Sequence, residues 1–308
     1  MSLEQLGYIE LPAHLKAGGF DHAAAQLVDG RMFVAHTAND AVDVIDCVAD
    51  RYLYSIGDLA GVAGVLVAED QKLVFTSNRR ENTVGILATG SDDRLTKVNV
   101  GHRPNGLAHD PVRNLLVAAN VGDSAIPGST TASIVDVAAN AMVASVPMPG
   151  RTRWAVFDKA LDAFFINIAA PPCIVVIDAA NPAAVAKVFD VPAAGPHGLD
   201  LDVDAQRLFC ACDAGQLVCL DAHSGNVQGY VALSGAPDAI FFNAKQRHLY
   251  VAIGDPGLID VVDTRQLKVM LTVSTEAGAH TIGFDAELEK VYAFLPLSHR
   301  AAVYHDSP

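Results

Sequence analysis

The sequence predicts an all-β fold, a single seven-bladed β-propeller with four-stranded antiparallel blades, closed by the N-terminal strand joining the last blade. Three observations carry this. First, 51% of the 308 residues are hydrophobic and 18% charged, which is too apolar for a disordered chain. The 24 glycines and 15 prolines divide that material into short Val/Ile/Leu/Phe runs, an all-β balance. Second, an aspartate recurs after a β-run, at Asp46, Asp136, Asp178, Asp221 and Asp263, with Ala88 in its place in the second unit. The steps are 42, 48, 42, 43 and 42 residues. Apolar runs keep the same step seven times: MFVAH, LVFTSN, LLVAAN, FFINI, LFCAC, LYVAI and VYAFL. Third, the last unit has room for only three strands from His280 onward, and GYIEL at Gly7 to Leu11 offers the fourth. Borrowing it closes the ring and removes a bare sheet edge.

Each unit reads as four short strands. In the fifth, HGLDLD, RLFCAC, LVCLD and VQGYVAL are separated by turns, including DAGQ and AHSGN. Such runs, punctuated by Gly, Asp and Asn, are hairpin signals, and a period of about 40–45 residues is that of a propeller blade. The expected blades are about 17–60, 61–101, 102–150, 151–195, 196–236, 237–279 and 280–308 with 1–16. Length alone suggests two domains, but a repeat overrides that prior. The recurring third-strand aspartate precedes a turn whose amides it can accept.

The repeat resembles that of the YVTN (YncE-like) β-propeller family in VFTSNRRENTVGIL, MFVAHTANDAVDVID and RLFCACDAGQLVCLDAHSGNV. GGFDHAA, RPNGLAHD, GPHGLD and APDAI resemble that family's Pro-Asn/Asp-Gly blade start. The resemblance spans the chain and implies the propeller fold. Similar propellers include lactone hydrolases, metal-linked proteins and binding platforms, and fold does not imply function.

Composition excludes some functions. A net charge of −14 argues against nucleic-acid binding. The longest stretch free of Asp, Glu, Lys, Arg and His, Ala163 to Ile177, is short of a bilayer span and is broken by Pro171-Pro172, so no membrane association is expected. MSLEQLGYIELP lacks a basic segment leading into an apolar one, and the five cysteines form no regular framework. Both suit a cytoplasmic location. Cys210 and Cys212 share one strand face, and Cys219 is expected opposite Cys210. Buried cysteines acting as small hydrophobes explain them better than a thiolate site. No Walker loop, GxSxG elbow or HExxH helix is present.

The fold sorts the polar residues. Inner strands start at one face, here the upper face, and the loops after second strands return to it. The blade starts read Asp21-His22, Ala63-Gly64, Asn105-Gly106, Arg153-Trp154, His197-Gly198, Asp238-Ala239 and His280-Thr281. The loops add His36, Asn78, Arg79, Arg80, Asn120, Asp213 and His299, and His102-Arg103 precede the third start. Six of the eleven histidines therefore fall on the upper face.

Two chemistries follow. His22, His197 and His280, with Asp21 or Asp238, form a candidate set for a divalent metal such as zinc. His36, Asn78, Arg79, Arg80, Arg103, Asn105, Asn120, Arg153 and Trp154 form a candidate binding surface for a small anionic molecule, since arginine forks match carboxylate and phosphate. Trp154 is expected as an apolar plug or a pocket wall, and the insertion at 121–130 as a lid or ordinary loop drift. The expected function is small-anion binding at the channel mouth. As a lactone-type hydrolase it would use Asp21, Asp238, His197 and His280 for catalysis. The alternative is a non-catalytic ligand- or metal-binding propeller, or a protein-interaction platform.

Overall fold

The computed structural model describes residues 2–89 and 95–307. Seven four-stranded antiparallel sheets form the ring, and six of them are consecutive in sequence. The seventh takes Thr281–Asp285, Lys290–Leu295 and Arg300–Ser307 from the C-terminus and Ser2–Glu10 from the N-terminus. The closing strand is thus longer than the expected Gly7 to Leu11. It pairs from Ser2↔Ser307 to Glu10↔Arg300.

The core is distributed rather than central. Among the described residues, seven clusters of buried apolar side chains fill the seven junctions between neighbouring blades. Second and third strands such as Ala163–Ile168 and Cys173–Asp178 are buried almost throughout because each is sandwiched between two blades. Fourth strands such as Ala141–Pro147 are largely exposed.

Turn chemistry follows the expected aspartates. Asp46 accepts the Val48 and Ala49 amides, Asp221 those of His223 and Ser224, and Asp263 those of Arg265 and Gln266. A second such series had no counterpart in the sequence reading. The last residue of five inner strands (Asp110, Asp158, Asp202, Asn243 and Asp285) caps the turn below it in the same way. Blades one and two carry Gln26 and Ala68 at that place, which hid the pattern.

Cysteine placement needs one correction. Cys219 pairs with Phe209, and Cys210 pairs with Val218. The turn holds three residues between Cys212 and Gln216, which shifts the register by one. All five cysteines are free and buried, and burial pushes the Cys47, Cys173, Cys210 and Cys219 thiols up.

Six inner strands share an irregularity that positions the site. Their register with the second strand slips within Phe20/Ala23, Val62/Val65, Pro104/Leu107, Thr152/Ala155, Pro196/Leu199 and Pro237/Ile240. Each slip is a β-bulge, which re-aims the residues it contains. The two residues inside each bulge are the blade-start pairs picked out by sequence. Blade seven is regular.

The bulge glycines are required by space. A Cβ on Gly64 would lie 2.2 Å from the Asn105 carbonyl, on Gly106 2.3 Å from that of Arg153, and on Gly198 2.3 Å from that of Asp238. In each case the contact is the backbone of the next blade's bulge. Gly106→Ala is therefore expected to cost about 1–3 kcal/mol by forcing neighbouring inner strands apart. A urea unfolding midpoint equal to wild type would contradict this.

Candidate functional site

Main-chain bonds place the loops after second strands beside the blade starts. The amide of Val121 bonds the carbonyl of Arg103 at 3.0 Å, Ala169 that of Arg151 at 2.8 Å, and Asp213 that of Gly195 at 2.8 Å. The upper face is thereby assembled from both sets of residues.

At its centre, His22 of blade one and Trp154 of blade four reach across the axis and stack, with ring centroids 4.0 Å apart and planes 16° from parallel. The corresponding bulge positions of blades two, three, five and six are Gly64, Gly106, Gly198 and Ala239. These small residues leave room for the two large rings. Trp154 also meets Phe241 edge-on and packs against two separate junction clusters. Trp154 is thus a plug across the channel. Burial holds His22 toward its neutral form.

Above the plug lie two groups of bonded polar side chains. Arg79 pairs with Asp21 at 3.2 Å and donates to the Asn105 side chain. Across the mouth, Arg153 donates to His197 Nε2 at 3.0 Å and to Asp213 at 3.4 Å. His197 Nδ1 meets Asp213 at 2.7 Å. His197 thus faces the Arg153 guanidinium with one ring nitrogen and the Asp213 carboxylate with the other. Asp238 lies between two imidazoles, 3.3 Å from His197 Nε2 and 3.0 Å from His280 Nδ1. Burial alone would raise its carboxyl, but His197, His280 and His22 outweigh that and hold it well below the usual range. The Asp238 hydrogen bond in turn raises His280.

Two cations at the mouth have no such partner. Among the described residues, the Arg103 and Arg151 guanidiniums make no hydrogen bond or ion pair. Burial depresses Arg151, and the nearby Arg153, Arg79 and Arg103 guanidiniums depress it further. Arg151 escaped the sequence reading because it lies two residues ahead of the Arg153-Trp154 pair. Only the spatial gathering of four arginines marks it.

Other candidates lie elsewhere. His36 is fully buried and bonded to Asp43 at 2.7 Å, with its ring against His14 and Phe20. Asn78 is bonded to Thr83 and Thr76, and Asn120 to Thr131 and Ser133, all within their own blades. Arg80 is paired with Asp40. The insertion at 121–130 folds on itself, with the Asp123 amide on Ser129 Oγ at 2.8 Å, and its base is tied to the His102 carbonyl.

The metal expectation does not fit. Among the described residues no group of three or more His, Cys, Asp and Glu is disposed to hold a metal ion. His22, His197 and His280 gather around Asp238 without forming a ligand set. His22 stacks on Trp154, both His197 nitrogens are engaged, and Asp238 occupies the space between His197 and His280.

No protein-family model matches the chain, and no curated protein matches it. Solved structures do. A chain of Kuenenia stuttgartiensis hydrazine synthase is 13% identical with a TM-score of 0.83, over 96% of this chain and 98% of that one. A chain of the mitotic checkpoint complex is 10% identical with a TM-score of 0.83, over 100% of this chain and 93% of that one. At these identities the likeness shows the propeller fold alone. No helix in the described residues is long and apolar enough to cross a membrane.

The Asp238–His280 pair has a defined pH signature. Because His280 is raised from an ordinary value of 6.5, the pair's stabilisation is complete below that value and is lost as pH rises through His280's own raised value. Asp238→Asn should remove this component of the Tm–pH curve and bring the His280 NMR titration down toward the ordinary value. An unmoved His280 titration would contradict the pairing.

Proposed function

We propose that the upper mouth of the channel binds a small anion, a carboxylate or a phosphate, between Arg103 and Arg151, with Arg79 and Arg153 behind them. The observation that carries this reading is the gathering of four guanidiniums on one face of a chain with net charge −14, two of them unpartnered among the described residues. Like charges crowded together are costly unless an anion joins them, and a local positive field in an acidic protein draws anions to that place. The carboxylates Asp21, Asp213 and Asp238 hold Arg79, Arg153, His197 and His280 in position around the mouth. Of the large exposed apolar side chains, Met142, Val143, Val188 and Tyr230 lie on outer strands, while Leu15, Ile126 and Leu297 lie in loops of the upper face. The gathering of guanidiniums favours a small anion at the mouth over a docked protein, and a propeller of YVTN-repeat type suits such a platform.

A lactone-type hydrolysis is the second reading, favoured by His280. Its Nδ1 is held by ionised Asp238, and at pH above its raised value the deprotonated Nε2 is free to take a proton from an attacking water. In that reading Asp238 orients His280, while His197 and Asp21 position the arginines.

Calorimetric titration with inorganic phosphate, citrate and sugar phosphates tests the site. At least one should bind with salt-sensitive affinity, and Arg103→Ala or Arg151→Ala should weaken it at least tenfold. Tm should stay near wild type, because neither side chain holds the fold. Unchanged affinity in both variants would refute the site. In the same proteins, turnover of a sugar lactone that is lost in His280→Gln would establish hydrolysis; binding without turnover would leave a binding propeller.

A further inference from the structure

The lower half of the channel is a second chamber with the opposite character. Below the His22–Trp154 stack lies a cavity of about 480 Å3, within the ~300–1,000 Å3 range of small-molecule sites. Its walls are the inner strands, with Trp154, Phe157, Phe241 and aliphatic side chains facing it. It reaches the turns between first and second strands at Glu69, Asp70 and Pro111.

Its ionisable groups are one-sided. Glu69, Asp70 and Asp200 line it, with no lysine or arginine. Its two histidines, His22 and His109, are held toward the neutral form by burial. Glu69 is engaged with the Leu27 and Val28 amides at the outer end. Asp200 lines the wall half-buried, where desolvation pushes its carboxyl up to about 6 against two amide bonds, from Phe242 at 2.6 Å and Leu201 at 2.8 Å. Among the described residues no cation partners it. At neutral pH the carboxylate is thus ionised in an apolar wall without a counter-ion, an arrangement that costs stability until a cation arrives. Tying blade five to blade six through the Phe242 amide needs only an acceptor, which asparagine would supply.

We propose that this lower chamber binds a small organic cation, an aryl- or alkylammonium, with its charge toward Asp200 and its apolar body against Trp154 and Phe241. Aromatic faces attract such cations when water is excluded, and acidic residues at the outer end favour their approach. The same lining disfavours anions, so the chamber and the anion site above it stand or fall separately.

Trp154 is the only tryptophan, so its fluorescence reports on the chamber's inner end. The wild-type protein, with excess phosphate to occupy the upper mouth, is titrated at neutral pH with benzyltrimethylammonium, benzyl alcohol and benzoate. A saturable change with the cation is expected, at least tenfold weaker with the alcohol and absent with benzoate. Asp200→Asn should bring cation and alcohol to similar affinities. Phe241→Leu, which keeps the wall apolar, should weaken the cation more than the alcohol. Equal wild-type affinities for cation and alcohol, or no saturable response to the cation at millimolar concentration, would overturn the proposal, even if Asp200→Asn does not fold.

Discussion

The close approach of the inner strands at their upper ends is the constraint on which the rest depends. Each of six strands is bulged there, and in blades two, three and five the carbonyl of the next bulge occupies the space a side chain would need. Gly64, Gly106 and Gly198 meet that requirement. With Ala239 they also leave two positions, His22 and Trp154, free to carry large rings that meet across the axis. One packing rule therefore shapes the blades, plugs the channel and points the remaining bulge residues at the mouth.

The polar groups above the plug follow from the same geometry. Bulges bring Asp21, Arg153, His197 and Asp238 to one rim, and loops after second strands deliver Arg79 and Asp213 beside them. Carboxylates and cations in such proximity neutralise one another, and a metal ion would have to compete with bonds already made. What these groups leave over is positive above the plug and negative below it. In the proposed reading, electrostatics divides a single pore into two chambers with opposite preferences.

The fold was legible in the sequence because a period near 42 residues and a short final unit admit few architectures. The blade starts were legible too, since the Pro-Asn/Asp-Gly pattern marks where glycine is sterically required. The site was only partly legible. His36, Asn78 and Asn120 sit at the correct ends of second strands, but their side chains turn into their own blades, and no one-dimensional signal separates that from facing the mouth. Arg151 and Asp200 were missed for the converse reason. Each lies two residues from a blade-start pair and outside its pattern, and only the crowding of guanidiniums around one and the apolar wall around the other sets them apart. Scattered histidines suggested a metal because the sequence does not show that carboxylates such as Asp213 and Asp238 already engage them.

The division of the channel is tested most directly by a crystal structure from bromide-containing solution, with bromide located by its anomalous signal. The account predicts bromide at the upper mouth between Arg103 and Arg151, and none beneath the His22–Trp154 stack. Bromide in the lower chamber, or an open channel with the two rings unstacked, would contradict it.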